Sequence, residues 1–165
     1  MTTETGIRPV PDLLTTVYWD AAAEHRLVLQ RCGACGRVNQ PPQPTCGHCG
    51  SHDLAFAETS GTGTVYSWTS TLRRPGAYKN AAPADIPAPD TVLVVAVGDD
   101  PDALLIGRVS GRPDWIRFGA PVSVTFRDLT YTGDDGVEHA ITIPDFVHAE
   151  AAGEASRPDP ARQEA

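Results

Sequence analysis

The chain has 165 residues, of which 41% are hydrophobic and three are tryptophan. This composition can bury one modest core but not a large enzyme with its own cofactor domain. Its formal net charge of -8 disfavours nonspecific attraction to nucleic-acid phosphates. No apolar run reaches the roughly 20 residues that cross a bilayer, and residues 1–6 lack the order of a signal peptide. We therefore expect a soluble, cytoplasmic protein.

The first segment, residues 1–25, is predicted to contain one amphipathic helix. Asp12 offers an N-cap after Pro11, and helix is expected over residues 12–24. The apolar side chains that recur on one face at helical spacing are Leu13, Leu14, Val17, Tyr18, Ala21 and Ala22. A short strand at residues 27–29 then leads into a cysteine-rich segment.

Residues 26–53 are predicted to form a zinc ribbon. Its ligands are two Cys-x-x-Cys pairs, each followed by glycine: Cys32, Cys35, Cys46 and Cys49. Two residues between thiols allow one tight turn to aim both sulfurs at the same point, and the glycines permit a positive φ. Four thiolates leave no open coordination position, so the zinc is expected to be structural. A rubredoxin-type iron site and redox-active thiol pairs are the alternatives, and His48 is interpreted as a surface residue.

From residue 54 to residue 147 the pattern predicts an all-β domain. Five strands rich in branched and aromatic residues are expected at 64–72, 91–97, 104–109, 122–128 and 139–143. Acidic turns join the second strand to the third and the fourth to the fifth, and we interpret their aspartates as solvated. The proline-rich connection at residues 73–90 is long enough to be functional or disordered. Residues 148–165 are predicted to be a disordered tail.

No catalytic motif is present among the five histidines, which are expected to be structural or exposed: His25, His48, His52, His139 and His148. The alternative is that His139 or Asp128, on the surface of the barrel, acts as a general base. Trp68, Trp115 and Tyr66 are expected to pack in the core, with stacking on a base or adenine ring as the alternative.

The order of these parts resembles the zinc-ribbon/OB-fold accessory proteins that partner thiolase-like enzymes, over roughly residues 11–147. The matching pieces are Tyr18-Trp19, residues 29–36 (LQRCGACG), 40–42 (QPP), 46–50 (CGHCG), 61–69 (GTGTVYSWT) and 118–122 (FGAPV). The resemblance implies a mainly β protein in which an N-terminal helix and a rubredoxin-like zinc ribbon precede a five-stranded OB-fold barrel.

The same resemblance implies a function. Its members bind thiolase-superfamily partners, support an acyl-CoA site, and include small subunits of retro-aldolases that shorten steroid side chains. We therefore expect a non-catalytic subunit of such an aldolase complex, with the catalytic residues on the partner. Because some members carry a fused hydratase-like domain and this chain has no room for one, the partner is expected to be a separate chain.

Candidate contacts to coenzyme A follow from the resemblance and lie on the first barrel strand and its loop: Tyr66, Trp68, Arg73, Arg74 and Lys79. A solvated loop is an equally good interpretation of the three basic residues. The competing functions are an acyltransferase-complex subunit, a nucleic-acid binder of the ribbon and OB class, and an independent acyl-CoA enzyme.

Overall fold

The computed structural model describes residues 9–71, 80, 82, 90–98, 100, 103–110, 113–132 and 136–150. Within them the chain forms one α-helix and eight strands. These are α1 (Thr16–Ala23), β1 (Val28–Cys32), β2 (Val38–Asn39), β3 (Leu54–Glu58), β4 (Thr62–Thr71), β5 (Asp90–Val97), β6 (Leu104–Ser110), β7 (Pro121–Thr132) and β8 (Glu138–His148). Most of the long connection after β4 (residues 72–79, 81 and 83–89) and residues 151–165 lie outside the described residues, so their predicted disorder stays a prediction. The predicted tail begins too early, because His148 is the last residue of β8.

The helix α1 begins four residues later than the sequence predicts, because Asp12 first organises a turn. Its Oδ1 accepts hydrogen bonds from the N–H groups of Leu14 (3.0 Å) and Thr15 (2.8 Å). The Asp12 carbonyl also accepts from the N–H of Thr16 at 2.9 Å, which directs the chain into the helix. The prediction of Asp12 as the N-cap is therefore wrong: the N-cap is Thr15, and Asp12 organises the turn that precedes the helix.

The ribbon is a three-stranded antiparallel sheet in the order β2-β1-β3. Gln30 in the central strand pairs with Asn39 on one side and with Phe56 on the other. The predicted division of the chain at residue 54 falls at the first residue of β3, a strand that pairs with β1. The OB sheet itself begins at β4.

The second sheet has five strands in the order β6-β5-β4-β7-β8. A β-bulge between Val65 and Ser67 leaves Tyr66 without a partner on β5. The strands β7 and β8 extend well beyond the predicted 122–128 and 139–143, pairing from Val122↔His148 to Thr132↔Glu138. The longer β8 includes Pro144, which is tolerated because β8 is an outer strand that pairs with β7 alone among the described strands.

The two outer strands, β6 and β8, meet through side chains. Asp145 accepts hydrogen bonds from the N–H of Arg108 and from Nε of Arg127, both at 2.9 Å. A Cβ at Gly107 would lie 2.5 Å from Phe146, so glycine is needed for this close approach. The sheet thus curls as in an OB fold without a closing ladder among the described residues, and the predicted fold class is confirmed.

One hydrophobic core serves both sheets. Leu27, Leu29 and Val38 of the ribbon segment belong to the same buried cluster as the inward side chains of the OB sheet, such as Leu93 and Val95. Ribbon and OB sheet are therefore packed as one body. No helix in the described part of the chain is long and apolar enough to span a membrane.

Candidate metal centre and its surroundings

Two matched turns carry the four cysteines. At the first, the Cys32 carbonyl accepts a hydrogen bond from the N–H of Gly36 at 2.8 Å, and the Cys32 N–H donates to the Arg37 carbonyl at 2.9 Å. Cys46 makes the equivalent pair of bonds in the second turn, where Gly50 donates at 2.9 Å. Gly36 and Gly50 have φ values of 75° and 73°, the region that glycine enters at no steric cost. Each Cys-x-x-Cys-Gly run therefore specifies the same local turn.

The four sulfurs converge on one point. All lie within 4.8 Å of one another, and the Sγ atoms are 3.7 Å apart both between Cys32 and Cys49 and between Cys35 and Cys46. A tetrahedral zinc with bonds of about 2.3 Å would separate its sulfurs by about 3.8 Å. The two 3.7 Å pairs match this separation, and the other sulfurs are close enough to share one ion. His48 lies outside this ligand group.

The electrostatics of the thiols also fit a cation. Desolvation raises the pKa of Cys46, but hydrogen bonds from the N–H groups of His48 and Cys49 outweigh it, and the pKa falls to about 6. At Cys49 the N–H of Ser51 lowers the pKa, whereas the neighbouring sulfurs raise it to about 12. The first thiolate forms readily, and the full set of four requires a positive ion among them.

Buried amides hold the second turn against the ribbon sheet, and the sequence did not identify them. Asn39 Oδ1 accepts the N–H of Gly47 at 2.9 Å. Gln30 Nε2 donates to the Gln43 carbonyl at 3.0 Å, and its Oε1 accepts the Gln43 N–H at 2.9 Å. Because Asn and Gln are usually exposed, their residue type gives no signal of this role. Only their position in strands beside the cysteines could have suggested it.

The prediction that the acidic turns are solvated is wrong for Asp100. Its side chain is only 9% exposed. Its Oδ2 accepts the N–H of Val38 at 2.8 Å, and its Oδ1 lies 3.6 Å from Nε of Arg37. Because this carboxylate satisfies a backbone N–H of β2, it ties the ribbon to the β5–β6 turn. The other aspartates of the acidic turns, Asp99, Asp102, Asp134 and Asp135, lie outside the described residues.

An open groove of about 500 Å³ lies beside this contact, between ribbon and OB sheet. Arg31 and Arg37 face it from the ribbon, and Glu58 and Asp100 complete its charged lining. Since both signs of charge are present in equal number, the groove does not favour a ligand of either sign.

Three of the five histidines make aromatic contacts. His139 stacks on Tyr131 with ring centroids 5.2 Å apart, and His148 lies 5.3 Å from Trp115. His25 stacks on Phe126 at 5.3 Å. His48 and His52 are exposed, as expected.

Asp128, weighed above as a base, is instead a hydrogen-bond acceptor for two neighbours. The hydroxyl of Thr142 donates to it at 2.7 Å, and Nε2 of His25 lies 3.0 Å from its Oδ1. The Thr142 bond and then the His25 bond lower the pKa of this carboxyl. A more acidic carboxyl is a weaker proton acceptor, which disfavours a role as general base.

The predicted coenzyme A contacts are only partly described. Tyr66 stands out from the sheet at the bulge and is 58% exposed. Trp68 packs against the core, and its ring lies 4.9 Å from that of Phe118. Phe118 is 75% exposed and was not singled out as a ligand contact. Arg73, Arg74 and Lys79 lie outside the described residues, so the set as a whole stays a prediction.

An apolar row at the N-terminus has no cover within the described part of the chain. We call it the N-terminal overhang; its members and their exposed fractions are Val10 (80%), Leu13 (100%), Leu14 (38%) and Val17 (48%). The predicted helix face is therefore divided. Ala21 and Ala22 at its end are buried, and Tyr18 packs against the core. Leu13 and Leu14 precede the regular helix and, like Val17, are exposed.

Comparison with known proteins finds matches to both the ribbon and the OB domain. Residues 19–55 match the family model described as the ChsH2 rubredoxin-like zinc ribbon domain, and residues 57–127 match the ChsH2 C-terminal OB-fold domain. A probable enoyl-CoA hydratase alpha subunit from Thermomonospora curvata is 36% identical over 121 residues. That match covers 71% of this chain but only 35% of the relative's length.

Two solved structures share the fold. A chain of the Ltp2-ChsH2(DUF35) aldolase is 32% identical with a TM-score of 0.61, and the match covers 84% of this chain and 97% of that one. A DUF35-family protein of unknown function from Sulfolobus solfataricus is 16% identical with a TM-score of 0.51. That match covers 68% of this chain and 76% of the other, and it shows the fold alone.

Proposed function

The chain belongs to the ChsH2 family, which joins a zinc ribbon to an OB-fold domain, and from this premise we propose that it is an accessory subunit of a thiolase-superfamily enzyme. Its role is to dock on that enzyme, stabilise it and help receive an acyl-CoA. The observation that carries the proposal is the N-terminal overhang.

The overhang has the spacing of a helix face that enters a groove on another protein. In sequence its four residues stand at positions i, i+3, i+4 and i+7, the anchor pattern of helix-in-groove recognition. Only Val17 lies within α1 in the isolated chain, and the other three precede the helix. The row also runs directly into the buried face of α1, so a partner seated on it would extend the chain's own core. Burying such side chains is worth about 1.5–3 kcal/mol each. An uncovered row of this kind favours a docking role.

Charge favours a different protein over a second copy of this chain as the occupant. Asp12 and Asp20 flank the overhang, and residues 9–23 contain no lysine or arginine. Two copies meeting through this face would bring like charges together, and each carries a formal charge of -8. The expected partner surface is an apolar groove with a basic rim.

The chemistry of the chain agrees with a supporting role. We assign zinc to the four sulfurs, because a tetrahedral set of four thiolates suits zinc and its use is structural. Such an ion stabilises the ribbon and has no open position for a substrate. The sequence contains no nucleophile, phosphate-binding or dinucleotide motif, so the catalytic groups are assigned to the partner.

The partner's reaction is proposed from the relatives. One matched chain is part of an aldolase, and another relative is named as an enoyl-CoA hydratase subunit. The aldolase name suggests carbon–carbon cleavage, and the hydratase name suggests a coenzyme A thioester as the substrate. We propose retro-aldol cleavage of an acyl-CoA, with a steroid or other lipid side chain as the acyl group that the family resemblance implies. The exposed Tyr66, together with Trp68 and the basic residues Arg73, Arg74 and Lys79, is the proposed coenzyme A contact.

The experiment is coexpression of the tagged full chain with each thiolase-like subunit encoded in the same genome. We expect one of them to copurify and to be inactive when this chain is withheld. Replacing Leu13 and Leu14 with serine should abolish copurification while leaving the stability of the isolated chain within about 0.5 kcal/mol, as for most surface changes. Ile106→Ser is the matched control, since Ile106 is also exposed but lies on β6.

Two results would overturn the proposal. One is a chain that binds none of these subunits, and the other is tight binding to single-stranded DNA that weakens steeply with salt, which would indicate the nucleic-acid class.

A further inference from the structure

The residue that ends α1 has an uncommon backbone conformation for its type. His25 has a φ of 57°, and it is the one non-glycine residue with positive φ among those described. Its N–H donates to the Ala22 carbonyl at 2.8 Å, and the next N–H, of Arg26, donates to the Ala21 carbonyl at 2.9 Å. Glycine is strongly preferred at this position of a helix end. A histidine here is strained, so its side chain is expected to make a compensating contact.

That contact lies on the OB sheet. Nε2 of His25 is 3.0 and 3.1 Å from the two carboxylate oxygens of Asp128 on β7. The ring also lies nearly parallel to that of Phe126, with 7° between the planes. Thr142, which pairs with Asp128 across β7 and β8, donates its hydroxyl to the same carboxylate. The Asp128 carboxylate is therefore held in place by the sheet, independently of its contact with His25.

The rest of the helix interface is narrow. Within α1 only Ala21 and Ala22 are fully buried, and Tyr18 packs against the core. These three residues anchor the helix, and the His25 ring adds a contact beyond its C-terminal end. The eight residues of α1 extend for about 12 Å, at 1.5 Å per residue, between His25 and the turn that precedes the helix. A small rotation at the C-terminal end would therefore move the overhang by several ångströms.

We propose that His25 is a positioning residue: its contacts with Asp128 and Phe126 fix the direction of α1 and thereby present the N-terminal overhang to the partner. The consequence for docking rests on the proposed function. The contact itself is a property of the isolated chain and is tested on it.

The test is His25→Gly, for which the two possible roles predict opposite signs. If His25 only ends the helix, glycine relieves the strain, and hydrogen exchange of the α1 amides in the isolated full chain stays equal or slows. If His25 positions the helix, exchange of those amides becomes at least about threefold faster, while exchange in β5 and β6 is unchanged. His52→Gly, at an exposed histidine of the ribbon segment, is the control and should change neither.

A double-mutant cycle between His25 and Asp128 tests the contact without relying on one variant alone. Asp128→Ala should accelerate exchange in α1, and adding His25→Ala to it should accelerate exchange by a smaller factor than the same change does in the native chain, because the contact with Asp128 is already lost. Unchanged exchange in Asp128→Ala, or fully additive effects of the two changes, would overturn the inference.

Measurements on the complex with the partner then distinguish a failure of this inference from a failure of the proposed function. With the copurifying subunit, Asp128→Ala should weaken assembly at least about threefold and leave turnover at saturating concentration unchanged, since the variant alters presentation and not the reacting groups. Unchanged assembly would contradict the positioning role. If exchange responds as expected but no thiolase-like subunit binds the native chain, the proposed function fails while the His25 contact stands.

Discussion

The ribbon and the OB sheet reach stability by different routes. The OB sheet buries side chains completely, as at Leu93 and Val95, and its strands pair over long ladders. The ribbon segment contributes three aliphatic side chains to the same core, all from β1, β2 or the residue before β1, and beyond them its turns contain mainly Gly, Pro and Cys. The ribbon strands are therefore held by burial, whereas the two cysteine turns are placed to be held by a metal ion.

This difference indicates how the parts should fail. Loss of the metal should release the two cysteine turns, whereas loss of a shared core side chain should weaken both sheets together. The C-terminal part of α1 should behave like the OB sheet, because it packs against the common core.

The largest effect is expected from Cys46→Ser, which removes a buried sulfur from the metal site. Structural zinc supplies about 10 kcal/mol or more of binding energy at neutral pH, and a closed four-sulfur site cannot retain most of it with three ligands. We expect loss of bound metal, loss of hydrogen-exchange protection in the two cysteine turns, and loss of partner assembly. Exchange of the β4 to β8 amides should remain slow. Metal analysis and exchange mass spectrometry measure these outcomes.

His48→Ala is the control for this change, since His48 lies within the second turn but outside the ligand group, and it should keep its metal. Metal analysis of the native protein also distinguishes zinc from iron. An active, assembled complex containing Cys46→Ser would show that the metal does not organise the docking module.

A smaller effect is expected from Leu29→Ala, which opens a cavity in the shared core. Leu29 is 4% exposed, and such changes typically cost about 2–5 kcal/mol. With the metal bound, we expect a single urea transition, displaced to lower urea by the same amount for probes in the ribbon and in the OB sheet. Leu13→Ala makes the same chemical change at a fully exposed leucine and should leave the transition in place. A separate early transition in the ribbon would mean that the two sheets do not share a core.

The sequence predicted the parts of the structure that are specified by residues close together in the chain. The cysteine turns are specified within five residues each, so spacing alone predicted that the sulfurs converge. Alternating branched residues predicted the strands of the OB sheet for the same reason. The contacts it missed join distant positions: Asp100 binds β2 across 62 residues of sequence, and His25 meets Asp128 across 103. Nothing near either residue indicates such a partner.

The helix shows the same limit. Of the six apolar residues that periodicity placed on one helix face, Leu13 and Leu14 lie before the helix, and periodicity could not indicate where the chain's own core would end. Only the packed structure divides that face into a buried part and the overhang.

The smallest effect is expected at alkaline pH and concerns Tyr18, which anchors the buried end of α1. Burial raises the pKa of Tyr18 from its ordinary 10 to about 12. The folded state therefore favours the neutral phenol; its contribution to stability is complete below pH 10 and is lost as pH rises through 12. At pH 11 the loss is about 1.4 kcal/mol, the equivalent of one pH unit. Urea unfolding at pH 9 and pH 11 should show this loss of unfolding free energy in the native chain. The Tyr18→Phe variant, which has no ionisable group at position 18, should lack it. Equal losses in both chains would place Tyr18 in a hydrated site, and the helix would then belong with the weakly held part of the molecule.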